Sequence, residues 1–263
     1  MTRQPEIGEI PASVEKDIKA LEKEFDAAEV ELLKKAAQLH KPIFEKRAQV
    51  LEKIDGFWPQ ALTNCVSTNV YIDDDDHALL NHLTKVDVKR DVADPRAATV
   101  EFHFSPNEYI NDSVLVKEFA LDPKAGDFTT QFDFASETVP KKTPIHWKSD
   151  EKNLAKLKPT VGDLKADLGE VEEEDEEDED DFEPGSFFSS FFDSESRQVA
   201  GGIGRAVVED LFPNAVQHYE TPALFDEDDD EEDEEDEEDE DDDDREIDLE
   251  AEDDRPKKKT RAQ

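Results

Sequence analysis

The sequence predicts an α+β protein with three parts in chain order: a long N-terminal helix, an antiparallel sheet covered by helices, and an acidic C-terminal tail without a fold of its own. Three observations carry that prediction. Apolar side chains between residues 13 and 54 recur at three- and four-residue steps, several segments between residues 84 and 134 alternate apolar and polar positions, and a formal charge of −42 is concentrated in two runs.

Residues 1–12 are polar and are expected to be disordered. The helix, residues 13–56, is read from Val14, Ile18, Leu21, Phe25, Ala28, Leu32, Leu39, Ile43, Val50 and Ile54, which fall on one face. Ser13 is its expected cap, with Lys16 where a capping box would place Glu. Ile18, Phe25, Leu32 and Leu39 keep a seven-residue step, Lys35 interrupts the companion row, and Ala36, Ile43 and Val50 resume out of phase, which is a stutter. Pro42 removes a backbone donor and crowds the preceding turn, so a kink is expected near His40. At about 1.5 Å per residue such a helix is roughly 60 Å long, too long to bury its stripe against one small domain. A second copy is the simplest supplier of a matching stripe, so Ile18, Leu21, Phe25, Ala28, Leu32, Leu39, Ile43 and Val50 are expected to line a homodimer seam. The alternative is a helix packed entirely against its own domain.

Residues 57–225 are expected to form one α+β domain. Gly56 to Pro59 should end the first helix, residues 61–70 read as a short helix, and Asp73, Asp74, Asp75 and Asp76 as a solvated loop, since the Gly and spaced ligands of a calcium loop are missing. Strands are predicted over 84–90, 98–104, 114–121 and 128–134, with Asn107, Asp122-Pro123 and Gly126 as turn residues, giving an antiparallel meander with one wet face. Phe187, Phe188, Phe191 and Phe192 share one helix face, and a second helical segment over 206–212 ends at Pro213; both should cover the dry face of the sheet. The Phe cluster reads as core, with a partner groove as the alternative.

Residues 170–181 are acidic except Val171, and residues 226–244 are acidic without exception. Residues 170–183 carry a net −12 and residues 226–263 a net −19, which leaves −11 for the other 211 residues. Neither run has the apolar surface to offset the entropy of ordering, so both are expected to be disordered. The partner of such a run must be strongly basic, and Asp226, Glu227, Asp228, Asp229, Asp230, Glu231 and Glu232 lead the tail that would hold it. An extended chain offers one charge per roughly 3.3 to 3.6 Å, whereas duplex DNA carries one per roughly 1.7 Å, so the tail can screen a basic protein yet lose it to wrapped DNA. A merely solubilising tail is the bland alternative. Lys257, Lys258, Lys259 and Arg261 read as a nuclear localisation signal for an import receptor, or as a basic tip folding back on the acidic run.

Several function classes are disfavoured. Cys65 is the only cysteine, which excludes an internal disulfide and fits a reducing compartment. No signal-peptide pattern opens the chain and no run of about 18 apolar residues occurs, so neither secretion nor membrane insertion is expected. His40, His77, His82, His103, His146 and His218 show no metal-ligand spacing with Cys65, and there is no Gly-rich phosphate loop or nucleophile elbow. No enzyme activity, metal or cofactor is expected.

The motifs, in order, resemble the nucleosome assembly protein family, within it the SET/template-activating-factor branch. Lys41-Pro42-Ile43-Phe44-Glu45-Lys46-Arg47 leading to Ile54-Asp55-Gly56-Phe57-Trp58 is similar to the end of the family's long helix. Val100 to Phe104, Asn107-Glu108-Tyr109 and Val116-Lys117-Glu118-Phe119 resemble its central sheet; Ile145-His146-Trp147-Lys148, Ser186-Phe187-Phe188-Ser189-Ser190-Phe191-Phe192 and Leu211-Phe212-Pro213-Asn214-Ala215 complete the set. The resemblance implies an "earmuff" domain at each end of an antiparallel helix dimer, a histone chaperone that binds core histones and, weakly, duplex DNA, and a nuclear location with shuttling to the cytoplasm. It implies a histone-facing rim at Ser189, Ser190 and Glu195 and a DNA or histone contact at Lys148, Ser149 and Lys152. Regulation of a protein phosphatase or of histone acetylation is the alternative it allows. Two features depart from the branch: residues 127–142 are longer, and the insert at 170–183 is acidic where relatives can carry a basic one, which disfavours DNA contact there.

Overall fold

The computed structural model describes residues 10–90, 94–129, 131–162 and 182–221. Helix α1 spans Ala12–Leu51 and runs through Pro42. It starts on Pro11 with no side-chain cap, so Ser13 lies inside the first turn instead of capping it, and it stops short of the predicted end at 56. Two helices, α2 (Phe57–Asn64) and α3 (Val66–Asn69), stand where the sequence predicts one, because Cys65 adopts extended backbone between them. Gly56, at φ 72°, makes the turn into α2 in a conformation glycine adopts without penalty.

The sheet is a four-stranded antiparallel meander in the order β1 (Leu83–Arg90), β2 (Ala98–Phe104), β3 (Val114–Leu121) and β4 (Thr138–Pro140). Alternation decides its faces: Ala98, Val100, Phe102 and Phe104 are buried while Thr99, Glu101 and His103 are half-buried on the other side. Asp76, the first residue of α4 (Asp76–Leu80), corrects the reading of residues 73–76 as a solvated loop. Its carboxylate is fully buried and accepts from Phe187 N at 2.6 Å and Asp73 N at 2.9 Å. A buried backbone donor must be paired, and Asp76 serves two at once, fastening the Phe cluster to the loop before the sheet.

The fourth strand is not where the sequence predicts it. Residues 128–134 form no strand among the described positions; Asp133 caps helix α5 (Phe134–Glu137) by accepting from Ser136 N at 2.8 Å, and β4 comes directly after. The aromatic alternation there reports ring packing, Phe128 on Phe132 and Phe134 on Phe119, and not a pleat.

The dry face is covered as expected. Phe187, Phe188, Phe191 and Phe192 are all fully buried, and the Phe102 ring lies 5.4 to 5.9 Å from those of Phe187, Phe191 and Phe192. The short helix α6 (Leu154–Leu157), capped by Asn153 accepting from Lys156 N at 3.0 Å, packs against this Phe segment. The segment itself, Phe188–Asp193, and two others, Arg197–Gly201 and Ala206–Leu211, are wide π-helical turns, with α7 (Gly202–Arg205) between the last two. A Cβ on Gly204 would sit 2.3 Å from Phe119 Cζ, so only glycine lets α7 approach the sheet this closely. Lys117 stands in the dry row opposite Val100, fully buried, and its Nζ donates to Ser194 O at 2.7 Å and Phe192 O at 3.4 Å. It ties the exit of the Phe turn to the sheet, although burial pushes its pKa down to about 7 against the pull of Glu195 and Asp193. The last helix, α8 (Ala215–Glu220), packs on α2 through Phe57 stacked on Tyr219 at 4.8 Å and through Gln60 Nε2 donating to Tyr219 O at 2.8 Å.

Candidate functional site

Two rows of side chains run along α1. Val30, Lys34, Phe44, Arg47 and Leu51 are buried or half-buried and face their own chain; Arg47 lies 4.6 Å over the Phe44 ring and 4.7 Å over Phe212 while donating to Pro213 O at 2.9 Å. Leu21, Phe25, Ala28, Leu32, Leu39, Ile43 and Val50 form the other row, and all are exposed, Phe25 at 71%, Leu32 at 61% and Leu39 at 57%; Ile18 is half-buried. At 3.6 residues per turn the rows lie roughly 130° apart, so a helix satisfied on one face by its own domain leaves the other bare. Scattered surface leucines are ordinary, but a continuous stripe of six large apolar side chains on one helix is not.

The acidic insert leaves and rejoins the fold at a built neck. Val161 and Glu183 pair as a two-way bridge, 3.1 and 3.0 Å, and Ser186 N donates to Lys158 O at 2.9 Å. Thr160 fixes the neck to the Phe turn: its N–H donates to Ser189 Oγ at 2.7 Å, and its hydroxyl meets Ser189 Oγ at 3.0 Å and Ser190 Oγ at 2.8 Å. A Cβ on Gly185 would fall 2.4 Å from Thr160 N, so glycine is required for the strands of the neck to close. Lys158 joins the neck to the acidic loop through Asp73 and Asp75; Asp73 is held below the usual carboxylate range by its hydrogen bond with Lys158.

This geometry revises part of the predicted site. Ser189 and Ser190 are buried and their hydroxyls are spent on Thr160, so they build the neck and do not form an exposed rim. Glu195, two residues past the Phe turn, is exposed and accepts from Lys142 N at 3.4 Å. Phe182 and Glu183, placed by sequence in the disordered insert, belong to the fold: Phe182 packs on the core and Glu183 forms the bridge. Lys148 and Ser149 are exposed, but Lys148 Nζ donates to Asn107 O, and Lys152 pairs with Glu108 at 3.0 Å above the Tyr109 ring. Both lysines therefore clamp residues 145–152 along residues 107–112, where His146 pairs with Asp112 at 2.8 Å. The insert at 170–181, the tail residues Asp226 to Glu232 and the basic end Lys257, Lys258, Lys259 and Arg261 lie outside the described residues.

The sequence profile described as Nucleosome assembly protein (NAP) matches residues 51–254, most of the chain and nearly all of it beyond α1. The chain belongs to the nucleosome assembly protein family. Among curated members it is 33% identical over 215 residues, 79% of each chain, to a Schizosaccharomyces pombe protein whose name provisionally assigns it to the same family. It is 31% identical over 214 residues to Protein SET of Drosophila melanogaster, covering 78% of this chain and 72% of that one. Of solved structures with the family fold, Ccp1 matches at 27% identity and a TM-score of 0.55 over 79% of this chain and 94% of its own. The Vps75 histone chaperone shares the fold at 19% identity and a TM-score of 0.54, covering 80% of this chain and 97% of that one. The long helix, the meander and the covering aromatic turns are thus the family architecture, as the resemblance implied. Among the described residues no helix is long and apolar enough to cross a membrane.

Sequence reading missed Thr160, Gly185, Asp76 and the second row on α1. The last had a signal: Val30, Phe44 and Leu51 sit at multiples of seven residues, on a face of their own. The other three are single polar or small residues with no periodicity to reveal them.

Proposed function

We propose that the chain is a non-enzymatic nuclear histone chaperone acting as a homodimer, in which paired α1 helices carry two domains and the acidic runs shield core histones until DNA takes them. The observation that carries this reading is the neck: in a fold of the nucleosome assembly family, a hydrogen-bonded gate beside Asp73 and Asp75 brackets residues 163–181, which carry a net −12. A second polyanion of net −19 comes after α8, so a dimer would present four such segments at high local concentration to one basic protein. Ser189 and Ser190 serve this surface by anchoring its root, and Glu195, two residues past the Phe turn, adds an exposed carboxylate near Lys142. Lys148, Ser149 and Lys152 are a secondary contact for DNA, weak because both lysines already hold carbonyl or carboxylate partners. Lys257, Lys258, Lys259 and Arg261 would be read by an import receptor.

Removing residues 226–263 tests the tail's part in this. Affinity for core histone pairs is expected to fall about tenfold or more at physiological salt, where charges interact over about 8 Å, and the salt dependence should flatten. A salt-resistant residue of binding from the body should remain. Unchanged affinity and slope in the truncated protein would remove the tail from the mechanism.

A further inference from the structure

Cys65 is 145 residues from Asp210 in sequence and shows no ligand spacing with Asp210 or His218, yet the fold brings the three together. Cys65 sits at the break between α2 and α3, fully buried; Asp210 lies on the turn Ala206–Leu211, and His218 on α8. Cys65 Sγ is 3.9 Å from Asp210 Oδ2 and His218 Nε2 is 3.1 Å from Asp210 Oδ1, and one ligand atom from each of the three lies within 4.8 Å of the others. Each group is independently held. Asn214 Nδ2 donates to Asp210 Oδ1 at 3.0 Å, and Asn64 Nδ2 donates to the His218 carbonyl at 2.9 Å, so the carboxylate and the helix bearing the imidazole keep their places.

We propose that Cys65, Asp210 and His218 form a site for a borderline divalent transition ion of the zinc type, with water in the fourth position. One thiolate, one imidazole and one carboxylate are the donor set such an ion takes, at about 2.3 Å for sulfur and about 2.0 to 2.2 Å for nitrogen and oxygen, whereas calcium and magnesium take oxygen alone. Tetrahedral ligands at those lengths stand about 3.3 to 3.6 Å apart, whereas the three ligand atoms here are spread over as much as 4.8 Å, so binding draws them together by up to about 1 Å. The site opens to one side: Cys65 is sealed, but the His218 and Asp210 side chains are 17% and 47% exposed and give an entry path. Binding replaces the His218–Asp210 hydrogen bond: the ring keeps its one proton on Nδ1 so that Nε2 is free to ligate, and the thiol proton of Cys65 is released to solvent. Burial raises the pKa of that thiol, so the bound ion must outcompete the proton and affinity should climb with pH. The consequence for the fold is a cross-link between α2, the Ala206–Leu211 turn and α8, the last described helix before the acidic tail.

The polyanionic runs complicate any simple binding assay because carboxylates collect divalent ions weakly. Cobalt(II) separates the two: a thiolate ligand gives a near-ultraviolet sulfur-to-cobalt charge-transfer band that no carboxylate can produce. Titrating the full-length protein is expected to give this band at one ion per chain, displaced by zinc. Cys65→Ser should abolish the band. His218→Gln, at a half-buried position outside the core, should weaken binding by at least about 100-fold, the upper end of what a lost supporting contact costs a metal site. Absence of the band in the unaltered protein, or a band that survives in Cys65→Ser, would overturn the site, leaving Asp210–His218 as a hydrogen bond that pins α8.

Discussion

Asp76→Ala is expected to lower unfolding free energy by about 3 kcal/mol, because it orphans two backbone donors, that of Phe187 within the aromatic core and that of Asp73 at its edge, each costing about 1 to 3 kcal/mol. Asp76→Asn should lose far less, since an amide oxygen can accept from both. The charge itself is a liability. Desolvation raises the Asp76 pKa from 3.8 to about 6, outweighing the two hydrogen bonds that favour the carboxylate. A carboxyl that holds its proton more tightly when folded stabilises the fold fully below the unfolded pKa, and that contribution is lost as pH climbs through about 4 to 6. Urea unfolding of the two proteins side by side should therefore show the stability of the native sequence falling relative to that of Asp76→Asn as pH climbs from about 4 to 6. An Asp76→Ala protein within about 1 kcal/mol of the original would show that the two donors find other partners.

Leu32→Glu or Leu39→Glu is expected to give monomers. Each leucine is more than half exposed in the single chain and would be buried twice in a symmetric seam. Losing about 1.5 to 3 kcal/mol per copy weakens association on the order of 10² to 10⁴-fold, before the cost of burying a carboxylate is counted. Leu33→Glu is the matched control, because Leu33 lies off the stripe; it should remain dimeric by light scattering. Dimers in both Leu32→Glu and Leu39→Glu would displace the seam from this face.

Much of the architecture was legible because it is periodic. Steps of three and four placed α1, alternation placed β1, β2 and β3 within a residue or so, and the i, i+1, i+4, i+5 spacing of Phe187 to Phe192 announced a buried face. The failures share a cause. Residues 128–134 carry strand-like aromatics whose partners are set by tertiary contact, and Asp76, Ser189 and Ser190 look solvent-facing until the donors they satisfy are located across 111, 29 and 30 residues of chain. Polar groups that close a fold over such distances leave no local signature. The same holds for Cys65, Asp210 and His218.

In the proposed mechanism, acidic segments borne by a paired scaffold stand in for nucleic acid. Sedimentation of the purified full-length protein with each core histone pair at physiological ionic strength tests that most directly. It should yield a discrete complex containing two chains and bound histones, with affinity falling steeply toward the salt-resistant remainder contributed by the body as salt approaches about 1 M, where the Debye length falls to about 3 Å. Histones that sediment free of the protein at physiological ionic strength would contradict the mechanism.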